Sequence, residues 1–113
     1  MPPPNEHLAS SEAAARSAQE LGAQNNPQAA LYLQLANEEN QQARRLMRSG
    51  DNQRADGMLL RSRADAELSI MLAKEATART QAEQAEEVVR KAKSAPMPDG
   101  QQPQQPMPPQ PTP

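Results

Sequence analysis

Between Leu31 and Lys93, alanine, leucine, methionine and small polar residues recur at helical spacing, and the recurrence breaks once, at Ser49-Gly50-Asp51. Apolar positions three and four residues apart define one face of a helix. A serine-glycine-aspartate triplet stops one helix and caps the next. The stretch therefore reads as two long helices that reverse direction at residue 50, an antiparallel hairpin. Composition adds little to work with beyond that architecture, since 113 residues hold no cysteine, one histidine, one tyrosine, and no phenylalanine or tryptophan. Disulfides are excluded. A net charge of -2 gives no electrostatic reason to expect nucleic acid. No apolar run approaches the roughly 18 to 20 residues of a membrane-spanning helix, and the opening Met1-Pro2-Pro3-Pro4 lacks the form of a signal peptide. The chain is expected to be soluble, with Met1 either a natural start or the stub left where an export signal was removed.

A core of alanine with scattered leucine and methionine buries less apolar area per residue than an ordinary one, at about 25 cal/mol per Å². Modest stability, or help from self-association, is expected.

The predicted organisation is a disordered stub over 1–4, a helical domain over 5–95, and a disordered Pro/Gln-rich tail over 96–113. Prolines at 2 to 4 cannot be helical, and Asn5 is a plausible N-cap. A first helix is predicted over about 6–21, with Leu8, Ser11, Ala15 and Ala18 on one stripe and Glu12, Arg16 and Glu20 as an outer charge ladder. Gly22 closes it, and Asn26-Pro27 restarts the chain as N-cap and first helical residue. The second helix is predicted over 27–48, with Ala29, Tyr32, Leu33, Ala36, Ala43, Leu46 and Met47 on one face. Arg44, Arg45 and Arg48 complement the negative end of its dipole. The third is predicted over 52–95, its seam formed by Ala55, Met58, Leu59, Ser62, Ala66, Ser69, Ile70, Ala73, Ala76, Thr77 and Thr80. Outside that seam, Arg61 with Asp65, Glu75 with Arg79, Arg79 with Glu83, and Glu87 with Lys91 are spaced for i,i+4 pairing. The tail lacks apolar residues to repay its ordering and reads as a polyproline-like spacer. The fold class expected is all-α, a long antiparallel helical hairpin with a shorter N-terminal helix completing a three-helix bundle.

Chemistry is hard to place on such a chain. His7, the lone histidine, stands at the frayed start of the first helix and reads as a solvated polar residue. Ser10, Ser11 and Ser49 have no base to activate them. The carboxylate pairs Glu38-Glu39 and Glu86-Glu87 are adjacent in sequence and diverge around the helix. No phosphate loop, nucleophile elbow or calcium loop occurs. No catalytic, cofactor-binding or metal-ligating residue is predicted, and the chain is not expected to be an enzyme.

The order of features resembles a bacterial domain of unknown function that recurs in envelope lipoproteins of proteobacteria, sometimes beside an outer-membrane-protein-A-like domain. The residues that carry the resemblance are 4–8, Gly22-Ala23, Pro27, Leu35-Ala36, Ala43-Arg44-Arg45-Leu46, Ser49-Gly50-Asp51, and above all 63–69 and 72–76. The resemblance implies export and a lipid on an N-terminal cysteine. This chain departs from it in having neither that cysteine nor a signal segment, so membrane attachment is expected only through an anchor absent from this chain. The peptidoglycan-binding domain is also absent, and cell-wall binding does not carry over.

The function expected is therefore a non-enzymatic helical interaction or structural module of the cell envelope, in the periplasm or on the outer membrane, with a protein partner or a second copy. The alternatives are a periplasmic chaperone-like helical clamp, or a cytosolic self-assembling coiled coil should Met1 be native. The third helix outruns the second, so the first helix is expected to fold back onto the hairpin. The stripe Ala78, Ala82, Ala85, Val88, Val89 and Ala92 is then the candidate interaction surface.

Overall fold

The structure, a computed structural model, describes residues 1–96 and Pro111. All but Pro96 and Pro111 of the expected Pro/Gln-rich tail lie outside the described residues. The described chain is helical and holds no strand: α1 (Asn5–Glu20), a single 3-10 turn (Ala23–Asn25), α2 (Pro27–Arg48) and α3 (Asn52–Ser94). It divides into two units, Met1–Gln81 and Ala82–Pro113.

Each junction has a local cause. Asn26 is extended, and its side-chain oxygen accepts the Ala29 N–H at 3.0 Å, with Pro27 following at a position where no donor is needed. At the hairpin turn the Asp51 N–H donates to the Leu46 carbonyl and the Gly50 N–H to Met47. Gly50 is left-handed at φ 82°, which completes a Schellman motif. Gly22 is likewise left-handed at φ 81°, two residues beyond Glu20, the last residue of α1. Its N–H donates to Gln19, and the 3-10 turn then carries the chain into α2.

The start of α1 corrects the expectation. Asn5 is the first helical residue and the flanking position belongs to Pro4, whose carbonyl accepts from Leu8 with no side-chain cap. Residues 1–4, expected as a disordered stub, sit against the body: Pro4 is buried and the Asn52 side chain donates to the Met1 carbonyl at 3.0 Å.

In the first unit the seam is built from small side chains. On α2, Ala29, Leu33, Ala36, Asn40 and Ala43 are buried, and on α3, Ala55, Leu59, Ser62, Ala66, Ser69 and Ala73. Both sets step by four and three, which places alanine at every seventh residue of α2. Two hydroxyls cross the seam to main-chain acceptors: Ser62 donates to the Ala36 carbonyl at 2.8 Å and Ser69 to the Ala29 carbonyl at 2.7 Å. A serine side chain is short. For it to reach a neighbouring helix's carbonyl, the two axes must lie at the close end of the usual range of about 8–10 Å. The donors are seven residues apart, the acceptors are seven apart in the opposite sense, and the next position in that register sets Ala55 against Ala43, both fully buried.

α1 does fold back on the hairpin. Ser11, Ala15 and Ala18 are its buried stripe, and the Ser11 hydroxyl lies 2.7 Å from Asn40 Oδ1. Glu12 pairs with Arg44 of α2, so the expected ladder along α1 is replaced by a tie between helices. His7 corrects the reading of it as merely solvated, since its Nδ1 meets Asp56 of α3. α1 therefore runs antiparallel to α2 and parallel to the first part of α3. The far end of the predicted seam is also corrected: Ala76 is half-buried and Thr77 and Thr80 are exposed.

Candidate functional site

The body places its small residues inside and many of its large apolar ones outside. Leu59 is the largest fully buried side chain, followed by serines. By contrast Leu31 is 54% exposed and Met71 66%, and Leu35, Leu60 and Leu68 are exposed as well. Since α1 covers the side of the hairpin that carries Asn40, Arg44, Asp56 and Ile70, the opposite side is left open. Gln28, Leu31 and Tyr32 from α2 and Leu68 and Leu72 from α3 line a shallow groove there. The helical phase explains it: on α2 these residues flank the buried positions 29 and 33, rotated away from α1.

Below that groove, on the same open side, lies a largely covered carboxylate. The Glu39 side chain is only 12% exposed, and its Oε2 is 3.8 Å from Nε of Arg61. Its Oε1 is buried with no hydrogen-bond donor. The Asp65 carboxyl, one turn along α3 from Arg61, adds a second negative charge beside the Glu39 side chain. Burial first, then Asp65, push the Glu39 carboxyl up to about 7, against the opposing pull of Arg61. Arg61 thus serves Glu39 across the seam instead of the i,i+4 partner Asp65 that its spacing suggested.

Of the predicted surface, Ala78 lies in the first unit and is exposed. Ala82, Ala85, Val88, Val89 and Ala92 lie in the second and are exposed too, with Val88 at 67% and Val89 at 51%. Between Ala82 and Ser94 no side chain is buried. Glu87 takes both Arg90 and Lys91 as partners, the latter at 4.0 Å. The residues that sequence reasoning missed are the exposed Leu31, Leu35, Leu68 and Met71, of which Leu31 and Leu68 line the groove on the open side.

The buried hydroxyls of Ser62 and Ser69 are committed to carbonyls, and that of Ser11 is held between Asn40 and the Leu8 carbonyl. Among the described residues no cluster of three or more His, Asp or Glu side chains could hold a metal ion, and no helix is long and apolar enough to cross a membrane. No protein-family model, curated protein or solved structure matches the chain.

Proposed function

We propose that this chain is a non-enzymatic helical interaction module, and that it works in the bacterial envelope as the folded part of a lipoprotein. The observation that carries the first half is the inverted distribution of side-chain size. A seam closed largely by alanine and serine leaves Leu31, Leu35, Leu68 and Met71 at the surface, with Leu31 and Leu68 lining one shallow groove. Large apolar side chains clustered on a surface with a shallow groove are what an interface uses for its anchors. Support for the envelope location comes from the resemblance carried by residues 63–69 and 72–76. The exposed Val88 and Val89 of the second unit supply a second apolar contact of the same kind.

The test separates folding from contact. A Leu31→Ser, Leu68→Ser double variant is expected to melt within a few degrees of the parent, because neither side chain is buried. It is expected to lose self-association in sedimentation, or the contacts trapped by photo-crosslinkers placed at Leu35 in bacterial cells. Unchanged sedimentation together with unchanged crosslinks would reject the open side as the interface.

A further inference from the structure

We propose that the cleft between α1 and α2 is a binding site for a short peptide segment that carries one carboxylate. The cleft measures about 400 Å³, within the roughly 300–1,000 Å³ of small-ligand sites. Its floor is Ala15 and Asn40, and polar side chains of both helices form its walls. Helix direction sets its length. α1 and α2 run antiparallel, so Glu12 stands level with Arg44, and the walls extend from there to Gln19 and Asn37. That span of helix is about 10.5 Å long, the reach of about three extended residues.

Among the described residues, two groups of the cleft lack partners. Asn40 is 6% exposed, and the Ser11 hydroxyl engages only one end of its amide, through Oδ1 at 2.7 Å. The NH2 at the other end donates to no described residue, and a donor so deeply set calls for an acceptor oxygen from outside the fold. The second group is Arg16, on the α1 wall. Glu12 and Glu20 lie one turn to either side of it, yet it pairs with no carboxylate, and Glu12 is taken by Arg44.

The charges select the ligand. Two arginines against one glutamate leave a single net positive charge, which matches one carboxylate better than a phosphate with about two negative charges. Arg16 offers the planar fork that takes a carboxylate through two parallel bonds. Most of the remaining wall is carboxamide, with Gln19 and Asn37 at one end and Gln41 next to Asn40. A carboxamide carries both donors and an acceptor, so it pairs with the C=O and N–H of an extended backbone. No aromatic or large aliphatic side chain lines the cleft, in contrast to the groove on the opposite side of the hairpin. The two sites are therefore independent. The carboxylate belongs either to an acidic side chain or to a chain end, and the test separates these sources.

The experiment is a nitrogen-15 NMR titration of the full chain with three peptides: acetyl-Ala-Glu-Ala-amide, acetyl-Ala-Ala-Ala with a free carboxylate, and the neutral acetyl-Ala-Ala-Ala-amide. At least one carboxylate peptide is expected to give saturable shifts of the Asn40 side-chain NH2 and the Arg16 Nε–H, and which one does so identifies the source. The neutral peptide should bind about tenfold more weakly or worse, because it lacks the charge-assisted bonds. Arg16→Gln, at an exposed position, should keep the parent's Tm and weaken the carboxylate peptide by about tenfold or more. Arg79→Gln, remote on α3, should leave binding unchanged. Absence of saturable shifts at both groups with about 20 mM of either carboxylate peptide, well above a millimolar Kd, would overturn the site. So would equal binding of the neutral peptide, or equal losses in Arg16→Gln and Arg79→Gln.

Discussion

Residues 55–73 and residues 82–94 belong to one helix, α3, and have a similar share of alanine, yet in the first every third or fourth side chain is buried and in the second none is. The first stretch is helical because its seam is packed against α2 and α1. The second depends on intrinsic propensity and on pairs such as Glu87 with Lys91, each worth about 0.2–0.5 kcal/mol. Alanine has two meanings here. In the seam its smallness is the structural requirement, since any larger side chain would hold the backbones apart. In the second stretch it is only a good helix former.

Enlarging alanines in both stretches should break the comparison most visibly. Ala36→Leu or Ala66→Leu forces extra methylenes into the seam and is expected to cost about 3 kcal/mol in urea denaturation. Ala85→Leu, at an exposed position, is expected to stay within about 0.5 kcal/mol of the parent. Equal effects would mean that the seam is not close-packed. Hydrogen exchange tests the same contrast without mutation. Amides of 82–94 should exchange through local opening well before those of 55–73, whose protection should approach the global unfolding limit.

Smaller effects probe the crossing hydroxyls. Ser62→Ala and Ser69→Ala are each expected to cost about 1 kcal/mol, since the acceptor carbonyl keeps its own helical partner and only the extra bond is lost. Conversely Ala55→Ser restores the repeat opposite Ala43 and should gain up to about 0.5–1 kcal/mol. A loss there would show that the register argument does not extend to the turn end of the hairpin. The smallest effect is expected for Arg44→Ala. Its ion pair with Glu12 is partly exposed on both sides, and melting should fall by less than about 1 kcal/mol.

What the sequence made legible was local. Asn26-Pro27 and Ser49-Gly50-Asp51 announce their junctions because the capping atoms lie within a few residues of the groups they satisfy, and the bounds of α2 follow. Expectation failed where two helices had to be rotated against each other. Asn40 is polar and so was not counted in the seam, yet its position between Ala36 and Ala43 buries it beneath Ser11. Glu39 was read beside Glu38 as a diverging pair on one helix. Its partner across the hairpin is Arg61, and only the hairpin's register brings those two together. Leu31 and Leu68 looked like ordinary helical apolar positions, and their exposure depends on α1 choosing the other side.

The alanines at 29, 36 and 43 present equivalent carbonyls to α3 at intervals of seven residues, about 10.5 Å along the axis. A slip of α3 by one such interval would exchange one serine's acceptor for another of the same kind, like a pawl dropping into the next tooth. The Ser49-Gly50-Asp51 connection opposes this, because crossing between axes about 8–10 Å apart already uses most of its reach, at most about 3.6 Å per residue. The turn thus acts as the mechanical stop that selects one register out of a ladder of similar ones. A chain given seven extra glycine and serine residues at Gly50 would be free to populate two.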